Sequence, residues 1–460
     1  MISFCPVPPG RGAHENQPVR SCCMKNVQQL LFRGKMEPGT SLNLQEVHPM
    51  AFLEHDILVS EDLRRVPQEE LQGRLERLRA ALTEQDPSWQ MAVVSDKLDM
   101  YYFTGTMQEG AFLVRPQDAI LWVRRSLERA RNESLLPSTQ ILPMHSYRQA
   151  AQFYGEDLPT EVYLDEKHTS LEWLRFFHKY FPFTSRKNLD PILGRLRSVK
   201  SPYELALMAT SGRIHGDVLM QEAPVFLKEG ISEAELAIQL YLRMVLKGSQ
   251  GVARTNRPLG EDVIGLASFG KSALVRTAFD GPGGTGGTCV AVQSIGSAFR
   301  LLKQGRLVYL DIPCGFDGYN TDKTVVYYYG DLDRDPAKEE ILRAYNYCLS
   351  LEQKTISLMK PGAVLGDIYD QVMADFDPRY EGIFMNGGRF LGHSIGMCMD
   401  ETPVIAGGVK EEVRENMVFA VEPKIALPEL GMVGTENTYR IGPDGPVCLT
   451  GGPQPLRVVR

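Results

Sequence analysis

The chain has 460 residues, a length that corresponds to about three domains of ordinary size. Hydrophobic residues make up 43% and charged residues 23%, which is typical of a folded globular protein and excludes a disordered or fibrous chain. The net charge of −7 lacks the basic excess that a nucleic acid or an anionic membrane surface would attract. We therefore expect neither nucleic acid nor membrane as the main partner.

The cysteine content and the hydropathy pattern indicate the cellular compartment of the protein. Eight cysteines are too few for a disulfide framework, and their spacing matches no zinc motif. No apolar run approaches the ~18 residues that would span a bilayer. Residues 1–62 lack apolar periodicity and a secretory signal, which predicts an irregular N-terminal extension. Together these features predict a cytoplasmic protein with reduced thiols.

The apolar pattern divides the rest of the chain into two regions. Leucines at helical spacing over 71–82 predict a first helix, and β-rich runs such as MAVV and AILWV then alternate with helical segments. Residues 63–196 are therefore predicted to form a small α/β domain. In residues 197–460, two helices followed by strands occur twice, and a capping box at Ser201 marks the first helix. This pattern predicts an internally duplicated α+β domain.

Two predicted hairpins in the second region each carry a pair of acidic residues. In RLVYLDIPCGFDGYNTDKTVV, a turn at FDG that is centred between Phe316 and Asp317 would place Asp311 opposite Asp322. In FAVEPKIALPELGMVGTEN, a turn centred on PEL would place Glu422 opposite Glu436. Like charges that face each other across a ladder repel, and buried carboxylates without a partner are costly.

The expected partner of these four acids is a bound cation, because no basic residue is placed in step with all of them. His393, in the glycine-flanked GHSIG segment between the hairpins, is the only histidine after residue 215. Four carboxylates and one imidazole, without a thiolate, suit two divalent ions such as Mn, Co, Zn or Fe.

Four strings around these residues resemble those of the pita-bread metallopeptidases, the M24-type family of prolidase, aminopeptidase P and creatinase. They are LDIPCGFDGYNTDKTVV, GHSIGMCMDETP, ENMVFAVEP and GTENTYRI. LDMYYFTGT and VRRSLERA resemble the creatinase/prolidase N-terminal domain, which favours the Xaa-Pro peptidase branch. The resemblance implies an α+β fold, with a duplicated pita-bread catalytic domain at 197–460 after a smaller α/β creatinase-type domain at 63–196. It also implies a homodimer.

The resemblance assigns a role to each of the five residues. Asp311 would hold one metal ion, and His393 and Glu422 would complete the coordination of the second. Asp322 and Glu436 would bridge the two ions. A hydroxide between the ions would attack the scissile carbonyl of a small peptide, and Glu422 would carry its proton to the leaving nitrogen.

Three positions depart from the family's usual pattern. Asp400 and Ser294 occupy positions that are usually histidine, and Gly434 occupies one that is usually arginine. We interpret Asp400 as a catalytic-site residue that faces the substrate. Three functions follow as alternatives: an aminopeptidase or dipeptidase acting at Xaa-Pro bonds, a same-fold enzyme with other chemistry such as a creatinase-like C–N hydrolase or a lyase, and a catalytically silent metal-binding protein that recognises peptides or partners.

Two weaker motifs indicate structure rather than chemistry. The glycines of GPGGTGG formally match a dinucleotide fingerprint, but they neither close a clear strand nor open a helix. They predict a loop at the mouth of the site. Cys398 has no second histidine to activate it, so we interpret it as a thiol of the core.

Overall fold

The computed structural model describes residues 64–460 except 257–260, 263–264, 279–280 and 293–294. The predicted N-terminal extension and Ser294 lie outside the described residues. Among the described helices, none combines the length and the apolar composition that crossing a membrane requires. The cysteines at 289, 314, 348, 398 and 448 are free thiols.

The N-terminal part of the described chain is an α/β unit built on one mixed sheet. Its strands are Met91–Val94 (β1), Gly110–Val114 (β2), Ala119–Val123 (β3), Ile141–Pro143 (β4), Glu161–Leu164 (β5) and Ser185–Asn188 (β6). Its helices are Gln68–Gln85 (α1), Lys97–Thr104 (α2), Leu127–Glu133 (α3), Tyr147–Tyr154 (α4), Leu171–His178 (α5) and Asp190–Ser198 (α6). The strand order is β4-β3-β2-β1-β5-β6, with β1 antiparallel to β2 and parallel to β5.

Both faces of this sheet are covered, and so its central strands are apolar at every position. Val93 and Trp122 lie on one face and pack in a cluster with Phe177 of α5. Val94 and Phe112 lie on the other face, in a core that continues into the C-terminal part of the chain. Alternate residues of a strand point to opposite faces, so uninterrupted apolar runs such as MAVV predict a sheet buried on both sides.

The described C-terminal part contains two larger sheets, two separate two-stranded ladders and five α-helices. Its helices are Pro202–Gly216 (α7), Ala223–Phe226 (α8), Glu233–Leu246 (α9), Lys338–Leu358 (α10) and Leu365–Met373 (α11), with a π-helical segment Asp217–Glu222 between α7 and α8. Its strands are Ala253–Arg254 (β7), Glu261–Asp262 (β8), Leu266–Phe269 (β9), Arg306–Phe316 (β10), Tyr319–Tyr329 (β11), Gly392–Ser394 (β12), Glu401–Ile405 (β13), Val418–Val421 (β14), Lys424–Leu427 (β15), Gly431–Gly434 (β16), Asn437–Gly442 (β17), Gly445–Cys448 (β18) and Arg457–Val459 (β19). At the start of α7, Ser201 and Glu204 form the predicted capping box.

Each half of this region places helices against strands, which confirms the predicted α+β class. One sheet has the order β19-β11-β10-β9, and α7 and α9 pack on it. The other has the order β13-β12-β14-β17-β18, and α10 and α11 pack on this half. Strands β15 and β16 form a hairpin of their own beneath α10.

The β10–β11 hairpin differs from the predicted register. Its turn is the two-residue Asp317–Gly318 pair, in which both residues have positive φ angles of 46° and 90°. Asp311 therefore lies opposite Thr324, and the prediction that it faces Asp322 is wrong. The slip is two residues, however, and a shift by an even number keeps both acidic side chains on the same face of the sheet.

The β15–β16 hairpin confirms the predicted register. Lys424 pairs with Gly434 and Leu427 pairs with Gly431, so the hairpin is centred on Glu429. Glu422 and Glu436 occupy matching positions two residues beyond the last pair, where the chain runs on into β14 and β17. The two hairpins thus deliver four acids to one region between the sheets.

Candidate metal centre

The five side chains predicted as metal ligands are brought together by strands from both sheets. They are Asp311 on β10, Asp322 on β11, His393 on β12, Glu422 after β14 and Glu436 before β17. The β11 backbone meets the last of these segments directly, because the N–H of Thr324 donates to the carbonyl oxygen of Glu436 at 3.3 Å. The site therefore depends on the contact between the two halves of the region.

Asp322, His393 and Glu436 form the group best suited to a cation. Each offers one ligand atom, and these atoms all lie within 4.8 Å of one another. The Oε1 atom of Glu436 is buried and has no hydrogen-bond partner among the described residues. Because an unpaired buried carboxylate oxygen is costly, this atom is suited to bind a cation.

The imidazole of His393 is oriented by its neighbours. Its Nδ1 lies 3.1 Å from the backbone oxygen of Ser394, and its Nε2 lies 3.3 Å from Oε1 of Glu422. A hydrogen bond from Nδ1–H to the backbone leaves Nε2 as the donor atom for an ion. Without an ion, burial lowers the pKa of His393, but the hydrogen bond and the charge of Glu422 outweigh it and raise that pKa to about 9.

A lysine lies inside the acidic set, which corrects the prediction that no basic residue is in step with the four acids. The Nζ atom of Lys424 donates to Oε2 of Glu422 and to Oε2 of Glu436, at 2.6 Å in each case. It also lies 3.3 Å from Oδ2 of Asp311. The lysine is 1% exposed, so three of the five predicted ligands are held by a buried ammonium group.

The strand geometry explains why Lys424 points into the site. It follows Glu422 by two residues, and side chains two apart in an extended chain point to the same side. Across the ladder lies Gly434, where a Cβ atom would stand 2.6 Å from the backbone oxygen of Pro423 and 2.8 Å from Cγ of the lysine. A glycine at this position therefore leaves room for the adjacent backbone and for the lysine stem.

The four acids carry more negative charge than Lys424 can neutralise, and this excess charge is buried. Burial and the charge of Asp311 raise the pKa of Asp322 to about 7. Burial and the charge of Asp322 raise the pKa of Glu436 well above its usual range. Burial lowers the pKa of Lys424, but the carboxylates around it outweigh this effect and hold that pKa well above its usual value. One ammonium group does not neutralise four acids, so a further cation would relieve the repulsion that remains.

Hydroxyl groups that the sequence analysis missed complete the site. The Tyr309 hydroxyl donates to Oδ2 of Asp311 at 2.7 Å, and the Thr324 hydroxyl donates to Oε2 of Glu436 at 2.9 Å. Gly283, in the glycine-rich loop, packs against this tyrosine so closely that a Cβ atom would lie 2.3 Å from its hydroxyl oxygen. Tyr309 precedes Asp311 by two residues on β10, so strand alternation was the signal for it.

Asp400 and Cys398 lie on the segment that follows His393. The Oδ1 atom of Asp400 accepts the backbone N–H of Asn256 at 2.5 Å, and this aspartate is partly buried rather than exposed. Cys398 is buried, and burial raises the pKa of its thiol to about 12, which confirms it as a core thiol. The substrate-facing role of Asp400 stays a prediction.

A cavity of about 410 Å³ lies where α6 meets β13, and its lining includes none of the five predicted ligands. Arg197 lines it and donates to Oδ1 of Asp99 at 2.8 Å. The same guanidinium pairs with Glu401, the first residue of β13. Arg197 thus joins the N-terminal unit to the region that carries the metal ligands.

Comparison with known families supports the assignment of both regions. The sequence profile of metallopeptidase family M24 matches residues 206–443. The profile of the creatinase/prolidase N-terminal domain matches residues 74–199. All five predicted ligands lie inside the first match.

Individual proteins resemble the chain over most of its length. It is 25% identical to the Xaa-Pro dipeptidase of Pyrococcus furiosus over 386 residues, which cover 83% of this chain and 98% of that protein. Its fold resembles the prolidase from Pyrococcus horikoshii, with a TM-score of 0.68 and 20% identity over 84% of this chain and 99% of that one. It also resembles dipeptidase PepE from Mycobacterium ulcerans, with a TM-score of 0.70 and 21% identity over 86% of this chain and 100% of that one.

Proposed function

Because the chain belongs to metallopeptidase family M24, we propose that it is a metal-dependent hydrolase that cleaves Xaa-Pro bonds in small peptides. The substrate class is supported by similarity to the Xaa-Pro dipeptidase of Pyrococcus furiosus, nearly all of which aligns with this chain. The observation that carries the proposal is the group Asp322, His393 and Glu436, whose ligand atoms converge beside an unpartnered carboxylate oxygen.

The residues present fit a divalent ion. Carboxylate oxygen and imidazole nitrogen are ligands that suit Mn, Co, Zn and Fe in proteins. An ion bound by Asp322, His393 and Glu436 would supply Lewis-acid activation of the attacking water and of the scissile carbonyl. The expectation of two ions, with Asp311 and Glu422 as further ligands, stays a prediction.

We propose Glu422 as the residue that moves the proton. Burial raises its pKa, but the charge of Lys424 and the hydrogen bond with His393 outweigh burial and lower it. Glu422 is therefore ionised at neutral pH, and it can take a proton from the attacking water and release it to the leaving nitrogen. Its Oε2 is held by Lys424, which fixes the orientation of the carboxylate.

Asp400 is proposed to bind a cationic group of the substrate, such as a free amine. The Asp400→Asn variant should then chiefly raise KM, because the neutral amide loses the charge attraction. If the aspartate only lacks a hydrogen-bond donor that histidine would provide, Asp400→His should raise turnover of Xaa-Pro substrates, since one such donor is typically worth about 10²–10³ in rate. Unchanged kinetics in both variants, with metal content intact, would remove Asp400 from the mechanism.

We also propose, from the sequence, that the protein is cytoplasmic and acts as a homodimer. Free thiols at the five described cysteines are consistent with a reducing compartment. Light scattering on the purified protein tests the dimer: a molar mass close to the 51.5 kDa of one chain would contradict it.

The function is tested by reconstituting metal-free protein separately with Mn²⁺, Co²⁺, Zn²⁺ and Fe²⁺. Xaa-Pro dipeptides and tripeptides are the substrates, and the matching Xaa-Ala peptides are controls. Hydrolysis of the Xaa-Pro series should disappear in Asp322→Asn and persist in Asp317→Asn, which alters the β10–β11 turn and its ion pair with Arg64 but none of the predicted ligands. Cleavage of a non-peptide C–N bond instead would favour creatinase-like chemistry. Metal binding without turnover would favour a silent binding protein.

A further inference from the structure

The ammonium group of Lys424 meets three of the five predicted ligands at one point. Its Nζ atom lies 2.6 Å from Oε2 of Glu422, 2.6 Å from Oε2 of Glu436 and 3.3 Å from Oδ2 of Asp311. Oxygens from three separate carboxylates around one cation resemble the inner oxygen set of a metal ion. Here the cation belongs to the chain itself.

A metal ion cannot share these oxygens with the ammonium group at low cost. Metal–oxygen bonds are about 2.0–2.2 Å long, so an ion bound to the same two glutamate oxygens would lie less than about 5 Å from Nζ. At that separation in a buried site, a divalent ion and an ammonium group repel strongly. The lysine is 1% exposed and cannot relieve the repulsion through solvent while it stays in this position.

The charge count is compatible with a single ion. The site contains four carboxylates, and Lys424 with one divalent ion supplies three positive charges, which leaves a net charge of −1. Two divalent ions with the lysine would leave a net charge of +1, so the preference for one ion comes from the repulsion between the ammonium group and an ion at the shared oxygens.

We propose that Lys424 takes the place of one of the two metal ions, and that the site binds a single divalent ion through Asp322, His393 and Glu436. The inference rests on the proposed metal-dependent function. Two independent observations support the position of the remaining ion. The ligand atoms of these three residues lie within 4.8 Å of one another, and Oε1 of Glu436 is buried without a partner while its Oε2 is held by the lysine.

The opposite strand leaves room for the lysine stem. Gly434 pairs with Lys424, and a Cβ atom on this glycine would lie 2.6 Å from the backbone oxygen of Pro423 and 2.8 Å from both Cα and Cγ of the lysine. A larger residue at position 434 would therefore displace the neighbouring strand backbone together with the lysine stem.

The test counts metal ions per chain. Chelator-treated full-length protein is equilibrated with Mn²⁺ and separated from free ion, and bound Mn²⁺ is measured by plasma mass spectrometry. We expect one ion in the unaltered protein and two in Lys424→Ala. The matched control is Lys271→Ala, which removes an exposed lysine paired with Glu429 at the tip of the β15–β16 hairpin and should leave one ion. The paramagnetic resonance spectrum of bound Mn²⁺ should show one isolated ion, and an exchange-coupled pair in Lys424→Ala.

Two ions in the unaltered protein would overturn the inference, because the lysine would then not occupy a metal position. One ion in a folded Lys424→Ala protein would also overturn it. If Lys424→Ala fails to fold, the number of bound Mn²⁺ ions and the paramagnetic resonance spectrum of the unaltered protein still test the inference. The Xaa-Pro assay is measured in parallel: activity with two ions would refute only this inference, whereas a protein that binds no ion would refute the metal-dependent function as well.

Discussion

Without metal, Lys424 should be a large contributor to stability. In Lys424→Ala, Glu422 and Glu436 lose a buried partner at 2.6 Å and Asp311 loses one at 3.3 Å. Removing one member of a buried ion pair costs about 3–5 kcal/mol, because an uncompensated charge stays in the interior. Burial already raises the pKa of Glu436, so this carboxyl can take up a proton and limit the loss. We therefore expect the free energy of unfolding to fall by about 4 kcal/mol at pH 8, and by less at pH 5.

Urea unfolding followed by far-ultraviolet circular dichroism measures this loss. The three tryptophans all lie in the N-terminal unit, so their fluorescence would not report on the metal centre. Added Mn²⁺ should reduce the difference in the free energy of unfolding between Lys424→Ala and the unaltered protein. An ion at 100 times its dissociation constant stabilises the folded state by about 2.7 kcal/mol, and Lys424→Ala has a second binding position for such an ion. In Lys271→Ala the loss should be at most about 1 kcal/mol, as for other exposed pairs. Equal losses in the two variants without metal would refute the reasoning.

Three further perturbations address other parts of the molecule. Asp322→Ala should lower the metal content far more than Asp317→Ala, as measured by mass spectrometry, and equal contents would contradict the site. Arg197→Met should cost about 3–5 kcal/mol in a urea titration, because it leaves Asp99 buried and unpaired; adding Asp99→Asn should recover part of the loss, and strictly additive effects would argue against the pairing. Burial and the charge of a nearby lysine lower the pKa of His215 from 6.5 to about 3, so the unfolded state binds the extra proton and stability falls as the pH drops below 6.5. His215→Gln should therefore reduce the stability lost between pH 8 and pH 5 by about 2 kcal/mol, and an unchanged pH dependence would contradict it.

The fold was predictable because the apolar pattern and the caps act locally. The helix over 68–85 follows from its leucines, and the start of α7 follows from the capping box at Ser201. The β15–β16 register followed from symmetry about the turn. The β10–β11 register did not, because a two-residue Asp317–Gly318 turn and a turn one residue earlier are both compatible with the same apolar runs.

The site was predictable in its acids and its histidine but not in its lysine. Lys424 does not lie opposite the acids across a ladder; it follows Glu422 by two residues, at the start of β15. Two-residue alternation along this extended segment was sufficient to find it. Contacts between distant segments, such as the cavity lined by Arg197 and Glu401, depend on tertiary packing and leave no local signal in the sequence.

Because Lys424 lies on β15, one positive charge of the metal centre is part of the polypeptide itself. A chelator can remove a metal ion, and a cell poor in metal can fail to supply one, but neither can withdraw an ammonium group that is covalently attached to the strand. In the folded protein Asp311, Glu422 and Glu436 are therefore gathered around a cation without a bound metal ion. An incoming ion meets a Glu436 carboxylate that the lysine already holds in position.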